Sequence, residues 1–314
     1  MIQVGFLPFI RLVRPLLGTP IMDLIGGQVA RDSSNYIRYA NAQMEQRIAA
    51  EKDASKQTRK DIMHYLLNAK DPLTARGLTA TELNSESSLL ISAGSDTISV
   101  TLSATLFYLL HYPVALAKAA TEVRSAFASV DEIRGGKTLN ELVYLRACID
   151  EALRLSPPVP SHLPREVLPG GLTIDGHYFP KGTVVGTPPY AIHHCEEYYA
   201  KPFVFQPERW IMDEKTESEA SVATARAAFC PFSLGARGCI GKSIAYLNAM
   251  LALATLLFLY DIRLPEDAGK REPSGEGRPN DKHWGRRRKD EYQLVEYFLS
   301  EREGPMVEFK ARVL

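Results

Sequence analysis

Cysteine is scarce in this 314-residue chain: Cys148, Cys195, Cys230 and Cys239 are the full set, and no two stand in C-x-x-C spacing. That excludes a disulfide framework and the paired-ligand spacing of a zinc ribbon, and it suits a reducing compartment. An excess of charge of either sign is also missing, with 37 acidic against 37 basic residues, so no nucleic-acid role rests on bulk charge. There is no repeat at solenoid periods. The histidines form no constellation with Ser or Cys that would mark a hydrolase. His193-His194-Cys195 tempts as a zinc site, but neighbours on regular structure point in different directions and no second ligand pair accompanies them. The apolar segment Phe6–Leu17 is too short to span a bilayer and is interrupted by Pro8, Arg11, Arg14 and Pro15. Its basic residues fall inside the apolar run, which fits a signal peptide poorly.

What is present is an ordinary globular composition, 45% hydrophobic and 24% charged, with apolar material for a large core in one domain. Helices are expected over about 33–51 and 58–68. A capping box from Thr79 to Glu82 opens a long helical stretch that stops at His111-Tyr112-Pro113. A further helical segment begins near Leu139 and ends at Pro157-Pro158. Strands with Asp-Gly and Lys-Gly turns follow over 171–185. The stretch from Pro265 to Glu291 is rich in glycine, proline and charge, so its basic run Arg286-Arg287-Arg288-Lys289 reads as a solvated loop.

The most informative stretch is Phe232-Ser-Leu-Gly-Ala-Arg-Gly-Cys-Ile-Gly241, followed by an apolar helical run to Tyr260. Gly235, Gly238 and Gly241 permit tight turns and close approach to a flat partner. Cys239 then sits at a helix start, where free amides and the helix dipole favour the thiolate that ligates metal. The bland alternative is a glycine-rich turn with a structural cysteine. Upstream, Glu151 and Arg154 share one helical face and are embedded among Ala152, Leu153 and Leu155, which points to partial burial. Ala93-Gly94-Ser95-Asp96-Thr97 interrupts the long helix with small polar residues; the Thr97 hydroxyl can bond back to the carbonyl of Ala93. Its bland reading is a Ser/Thr-rich core helix with a surface aspartate.

Phe232, Gly235, Arg237, Cys239 and Gly241 at these spacings resemble the cysteine-ligand loop of the heme-thiolate monooxygenases, the cytochrome P450 superfamily. The resemblance extends to Glu151-x-x-Arg154, to Pro207-Glu208-Arg209-Trp210, to the Gly94 region and to Leu163-Pro164-Arg165, in that family's chain order. It implies a mainly α fold with a small β portion. It implies heme b with Cys239 as axial iron ligand, Arg165 and Arg237 as propionate partners, and Phe232, Gly235 and Gly241 shaping the loop. Glu151, Arg154 and Arg209 would form a structural triad bracing that loop from behind. Gly94 would leave room for dioxygen, and Asp96 and Thr97 would relay protons. The central helix and the helix after Cys239 would sandwich the heme. Electrons would come from NADPH through a reductase, and a lipophilic substrate would be hydroxylated or epoxidised beside Ser92, Ala93 and Val159 to Leu163. The style of several segments resembles filamentous-fungal members of secondary metabolism.

Against that family the chain reads as its C-terminal two-thirds, a single domain with a partial helical roof over 1–78 and a heme-binding core over 79–314. On this expectation the N-terminal region and its membrane anchor are missing, whereas full-length relatives sit on the cytosolic face of the endoplasmic reticulum. The alternative function is a truncated, inactive heme-binding remnant. For Phe6–Leu17 two readings stay open, a membrane-surface patch with snorkelling arginines or a core-facing roof segment.

Overall fold

The computed structural model describes residues 27–52, 60–213, 218–280, 285–295 and 300–313; Phe6–Leu17 lies outside them. Contacts divide the chain into two compact units, Met1–Ser95 and Asp96–Leu314. The first unit holds α1 (Gly27–Lys52), α2 (Ile62–Asn68) and the first half of α3 (Ala80–His111). Helix is already present at Gly27, the first described residue and six before the expected Ser33; within it Gln28 bonds Asp32 one turn on (2.8 Å) and Arg31 bonds Gln28 (3.1 Å). α2 starts only at Ile62, where the Asp61 carboxylate accepts the His64 amide at 2.9 Å as a cap. Arg47 joins Glu51 (2.6 Å) and Asp61 (3.2 Å), tying α1 to α2. The expected capping box forms at the start of α3: the Thr79 amide donates to Glu82 at 2.7 Å and the Glu82 amide to Thr79 Oγ1 at 3.3 Å.

The second unit is built on the remainder of α3, α4 (Pro113–Ala126), α5 (Lys137–Asn140), α6 (Val143–Leu155), α7 (Pro189–His193), α8 (Glu219–Ala228) and α9 (Lys242–Leu259). The single helix expected from Leu139 is two. Leu142 offers α6 no side-chain cap, and the Glu122 carboxylate of α4 supplies it instead, accepting the Tyr144 and Leu145 amides at 2.8 Å each. α3, α4, α6 and α9 pack through Phe107, Val123, Ile149, Leu253 and Leu257, all buried. By length and composition α3 and α9 could each cross a membrane, yet α9 spends Ala249, Leu253 and Leu257 on the protein's own core.

Among the described residues the β portion is four antiparallel pairs: β1 (Arg165–Glu166) with β4 (Val184–Val185), β2 (Leu172–Ile174) with β3 (His177–Phe179), β5 (Tyr260–Arg263) with β8 (Glu308–Ala311), and β6 (Leu294–Val295) with β7 (Glu301–Arg302). Asp175 and Gly176 join β2 to β3 with φ of 49° and 77°, the left-handed pair a two-residue hairpin needs. The basic run expected to be solvated is exposed at Arg287, Arg288 and Lys289 but not at Arg286. Arg286 is 7% exposed with its guanidinium 3.7 Å from the centre of the Tyr190 ring, and buried Glu291 accepts the Tyr190 hydroxyl at 2.7 Å. One tyrosine draws both charges inward, by its ring face and by its hydroxyl, while Arg287 and Lys289 stay exposed.

Candidate functional site

The segment after α8 turns sharply into the cysteine loop. Ser233 and Gly235 take φ of 57° and 72°, and nothing lies within 4 Å of where a Cβ on Gly235 would stand. At Gly238 the close approach is real, since a Cβ there would lie 3.1 Å from the Gly235 carbonyl oxygen. A short 3-10 turn over Gly235–Arg237 follows, closed by the Gly238 amide on the Gly235 carbonyl at 2.9 Å. The Cys239 amide then donates to the Phe232 carbonyl at 2.8 Å. Gly241 caps α9 at φ −83°, a conformation open to any residue; a side chain there would stand 3.7 Å from Cys239 Sγ. Cys239 is exposed just before the α9 N-terminus, beside Leu234 at 70% and Ile240 at 99% exposure. Arg237 is exposed in the same turn. The left-handed Ser233 escapes a reading that looks for such backbone only at glycine.

Behind the loop lies a buried charge cluster. Glu151 and Arg154, both at 0% exposure, pair bidentately at 2.9 Å through Arg154 Nε and Nη2. The same carboxylate also accepts from Arg209 Nε at 2.9 Å, from the Gln206 amide at 3.0 Å and from Trp210 Nε1 at 3.0 Å. Arg154 also donates to the carbonyls of His193 (2.7 Å) and Pro202 (2.6 Å). Burial alone would oppose ionisation of Glu151, but Arg154 and then Arg209 outweigh it and hold the carboxyl below its ordinary range. Trp210 was legible as part of a motif but not as a donor; its place directly after Arg209 in a buried turn is the signal.

His193 carries the cluster to the loop. Its Nε2 accepts the Cys230 amide at 3.0 Å, which fixes Nδ1 as the protonated nitrogen facing the Arg154 carbonyl at 3.2 Å. Both ring nitrogens are thus engaged in main-chain contacts. Phe229, next to Cys230, stacks near His193 and Trp210 at 5.5 and 4.7 Å between centroids. Burial, with Arg154 adding repulsion, pushes His193 down to about 3, and burial pushes His194 to about 3 as well. Unfolded histidine binds its proton near pH 6.5, so the stability supplied by these neutral rings is complete above that value and is lost as pH falls toward 3. We expect a loss of roughly 1.4 kcal/mol per pH unit per histidine in that window, read from denaturant midpoints between pH 7 and 4. His193→Gln should remove about half of that slope, leaving the part due to His194, and a profile unchanged by that substitution would contradict the assignment.

The remaining expected residues stand elsewhere. Gly94 is exposed in the first unit, with nothing within 4 Å of a Cβ placed on it, and Ala93 is exposed beside it while Ser92 is half-buried. Asp96 and Thr97, at the start of the second unit, are half-buried; Thr101 and Thr105 each bond back four residues, to the carbonyls of Thr97 (2.8 Å) and Thr101 (2.7 Å). Arg165 is exposed on β1 and donates to the Pro164 carbonyl at 2.9 Å. Val159 to Leu163 mixes one buried residue, Pro160, with partly exposed neighbours.

An exposed thiol set among exposed Leu234, Ile240 and Ile244 suits a soft metal carried in a flat apolar group. Among the described residues no three His, Cys, Asp or Glu side chains could hold a metal ion, so a metal at Cys239 would bring its other ligands with it, as heme does; the donor set fits. Residues 9–280 match the family described as Cytochrome P450. A cytochrome P450 monooxygenase of Gibberella zeae is 43% identical over 283 residues, which cover 90% of this chain and 62% of that one. Cytochrome P450 monooxygenase AKT7 of Alternaria alternata is 43% identical over 255 residues, 81% of this chain and 48% of the relative. For cytochrome P450 monooxygenase fscF of Fusarium equiseti the identity is 37% over 316 residues, 98% and 57%. The chain therefore spans about half to three-fifths of the length of these relatives. Among solved structures, the cytochrome P450DA heme domain is similar at TM-score 0.67 and a mutant of it at 0.70, each 23% identical. The first covers 94% of this chain and 57% of that one, and the second 96% and 58%; at this identity the likeness concerns the fold. With this fold, this loop and these relatives, the chain belongs to the cytochrome P450 family.

Proposed function

We propose that the chain carries the heme-binding portion of a monooxygenase that hydroxylates or epoxidises a lipophilic small molecule, with Cys239 as the iron ligand. The observation that carries this reading is the exposed Cys239 thiol, presented by a loop whose approach is tied through His193 to a buried Glu151–Arg154–Arg209 cluster. Family membership implies heme with thiolate ligation, and heme so ligated supplies dioxygen activation when bound.

The chain's own residues do the rest. Glu151, Arg154 and Arg209 hold the loop's base rigid. Phe232 fixes the Cys239 amide, and Gly235, Arg237 and Gly241 shape its surroundings. Arg165 and Arg237, both exposed, offer guanidinium groups for the carboxylates of heme. Gly94 leaves a position without a side chain. Asp96 takes protons from water at its carboxylate, and Thr97 Oγ1 passes them onward. Electrons are supplied from NADPH by a reductase at the endoplasmic reticulum surface. The fungal monooxygenases among the relatives support a substrate from secondary metabolism.

Electron accounting tests this reading. With a reductase, NADPH and an accepted lipophilic substrate, the reaction should couple NADPH use to oxygenated product, and Thr97→Ala should raise peroxide formed per NADPH severalfold. An unchanged peroxide ratio would remove Asp96 and Thr97 from proton delivery; absence of oxygenated product with every substrate would count against the function.

A further inference from the structure

Asp150 stands beside Glu151 in α6 but serves a different partner. Its carboxylate accepts the Tyr246 hydroxyl of α9 at 2.7 Å and Arg146 Nε at 3.0 Å, and its side chain is 14% exposed. The Arg146 guanidinium lies 3.4 Å from the centre of the Tyr246 ring, so Tyr246 is held both by its hydroxyl and by its ring. That buried ring packs against Phe232, 5.1 Å between centroids at 48°. The Phe232 carbonyl in turn accepts the Cys239 amide at 2.8 Å. Three contacts, all in the second unit, thus join a carboxylate on α6 to the main chain of the cysteine.

The His193–Cys230 bond anchors the chain before the loop, and the loop itself closes by main-chain bonds such as Gly238 N to the Gly235 carbonyl at 2.9 Å. Residues 234–240 are exposed throughout, so they bury almost no apolar surface of their own. Beyond those main-chain bonds, side-chain packing reaches the loop at its ends, where Phe232 meets Tyr246 of α9. Tyr246 belongs to α9 and touches Phe232, and therefore fixes one end against the other.

We propose that Asp150 and Tyr246 are positioning residues for Cys239, holding Phe232 so that the sulfur is presented in one place. The proposal rests on the reading that Cys239 ligates heme, but its first test does not need heme. In the heme-free 314-residue chain, Tyr246→Phe removes one hydroxyl and keeps the ring. Amide exchange over 232–241 should then rise about tenfold, as expected for losing one hydrogen bond to a charged group, while exchange in the core of α6 and α9 stays unchanged. Asp150→Ala should reproduce this, Asp150→Asn should restore it in part because its amide oxygen still accepts from Tyr246, and the double variant should be no worse than either single one. In the heme-loaded chain the same variants should transfer heme to apomyoglobin about tenfold faster. The thiolate band of the carbon-monoxide complex should shift partly to the shorter-wavelength form.

Unchanged exchange over 232–241 in Tyr246→Phe would overturn the proposal, and so would a rise spread equally over α6 and α9, which marks general loosening. Altered exchange together with an unsubstituted chain that shows no thiolate band would keep the loop positioning and defeat the heme reading.

Discussion

Glu151→Ala is expected to remove most of the protein from the soluble fraction. Five hydrogen bonds converge on that carboxylate, from Arg154 twice, Arg209, the Gln206 amide and Trp210. Truncation leaves Arg154 at 0% exposure and Arg209 at 4% without their counter-charge. Removing one partner of a buried ion pair costs about 3–5 kcal/mol, a large part of the ~5–15 kcal/mol that holds a domain folded. The carbonyls of His193 and Pro202 still accept from Arg154 but do not neutralise it. Arg154→Ala should also lower yield, since it takes two of the five hydrogen bonds from the buried carboxylate and leaves it to Arg209, the Gln206 amide and Trp210. Glu151→Gln keeps an acceptor and loses the charge, so it should fall between. Soluble yield and melting temperature of the three variants decide the matter; wild-type yield and melting in Glu151→Ala would show that the cluster does not bear on folding.

Much of this arrangement was legible before any coordinates, and for a physical reason. The turn at Gly235 and the buried Glu151–Arg154–Arg209 cluster follow from local motifs in which residue type and spacing set the geometry. The long apolar run of α9 and the capping box of α3 were legible for the same reason. The split between α5 and α6 was not, because the group that caps α6 is Glu122, distant in sequence and on another helix. Nor was the burial of Arg286 and Glu291, which depends on one tyrosine ring from α7 meeting a charged loop. The spacing around His193 points to neither a hydrolase nor a zinc site. The residue's actual place, between the Arg154 carbonyl and the Cys230 amide, is a tertiary fact that no spacing encodes. Asp150, adjacent to a motif residue, likewise gave no sign of its bond to Tyr246.

The second large effect falls on Cys239. Cys239→Ala removes the exposed thiol without disturbing buried structure, since the residue is exposed and its amide bond to Phe232 is main chain. The substituted chain should therefore fold, melt within a degree or two of the parent, and retain less than about a tenth of its heme after gel filtration, a loss of about 1.4 kcal/mol or more in affinity. Cys148 and Cys230 are no substitutes. Cys148 is buried with its thiol pushed well up by burial, and Cys230 is raised by burial too, so each disfavours the thiolate. Full heme retention in Cys239→Ala would assign the ligand elsewhere.

The central claim, that Cys239 presents a thiolate to heme iron, is tested most directly by the reduced carbon-monoxide difference spectrum of the heme-reconstituted chain. The account predicts the long-wavelength thiolate Soret band in the parent chain and its loss in Cys239→Ala. A parent chain that binds heme without that band, or a Cys239→Ala chain that keeps it, would contradict the account.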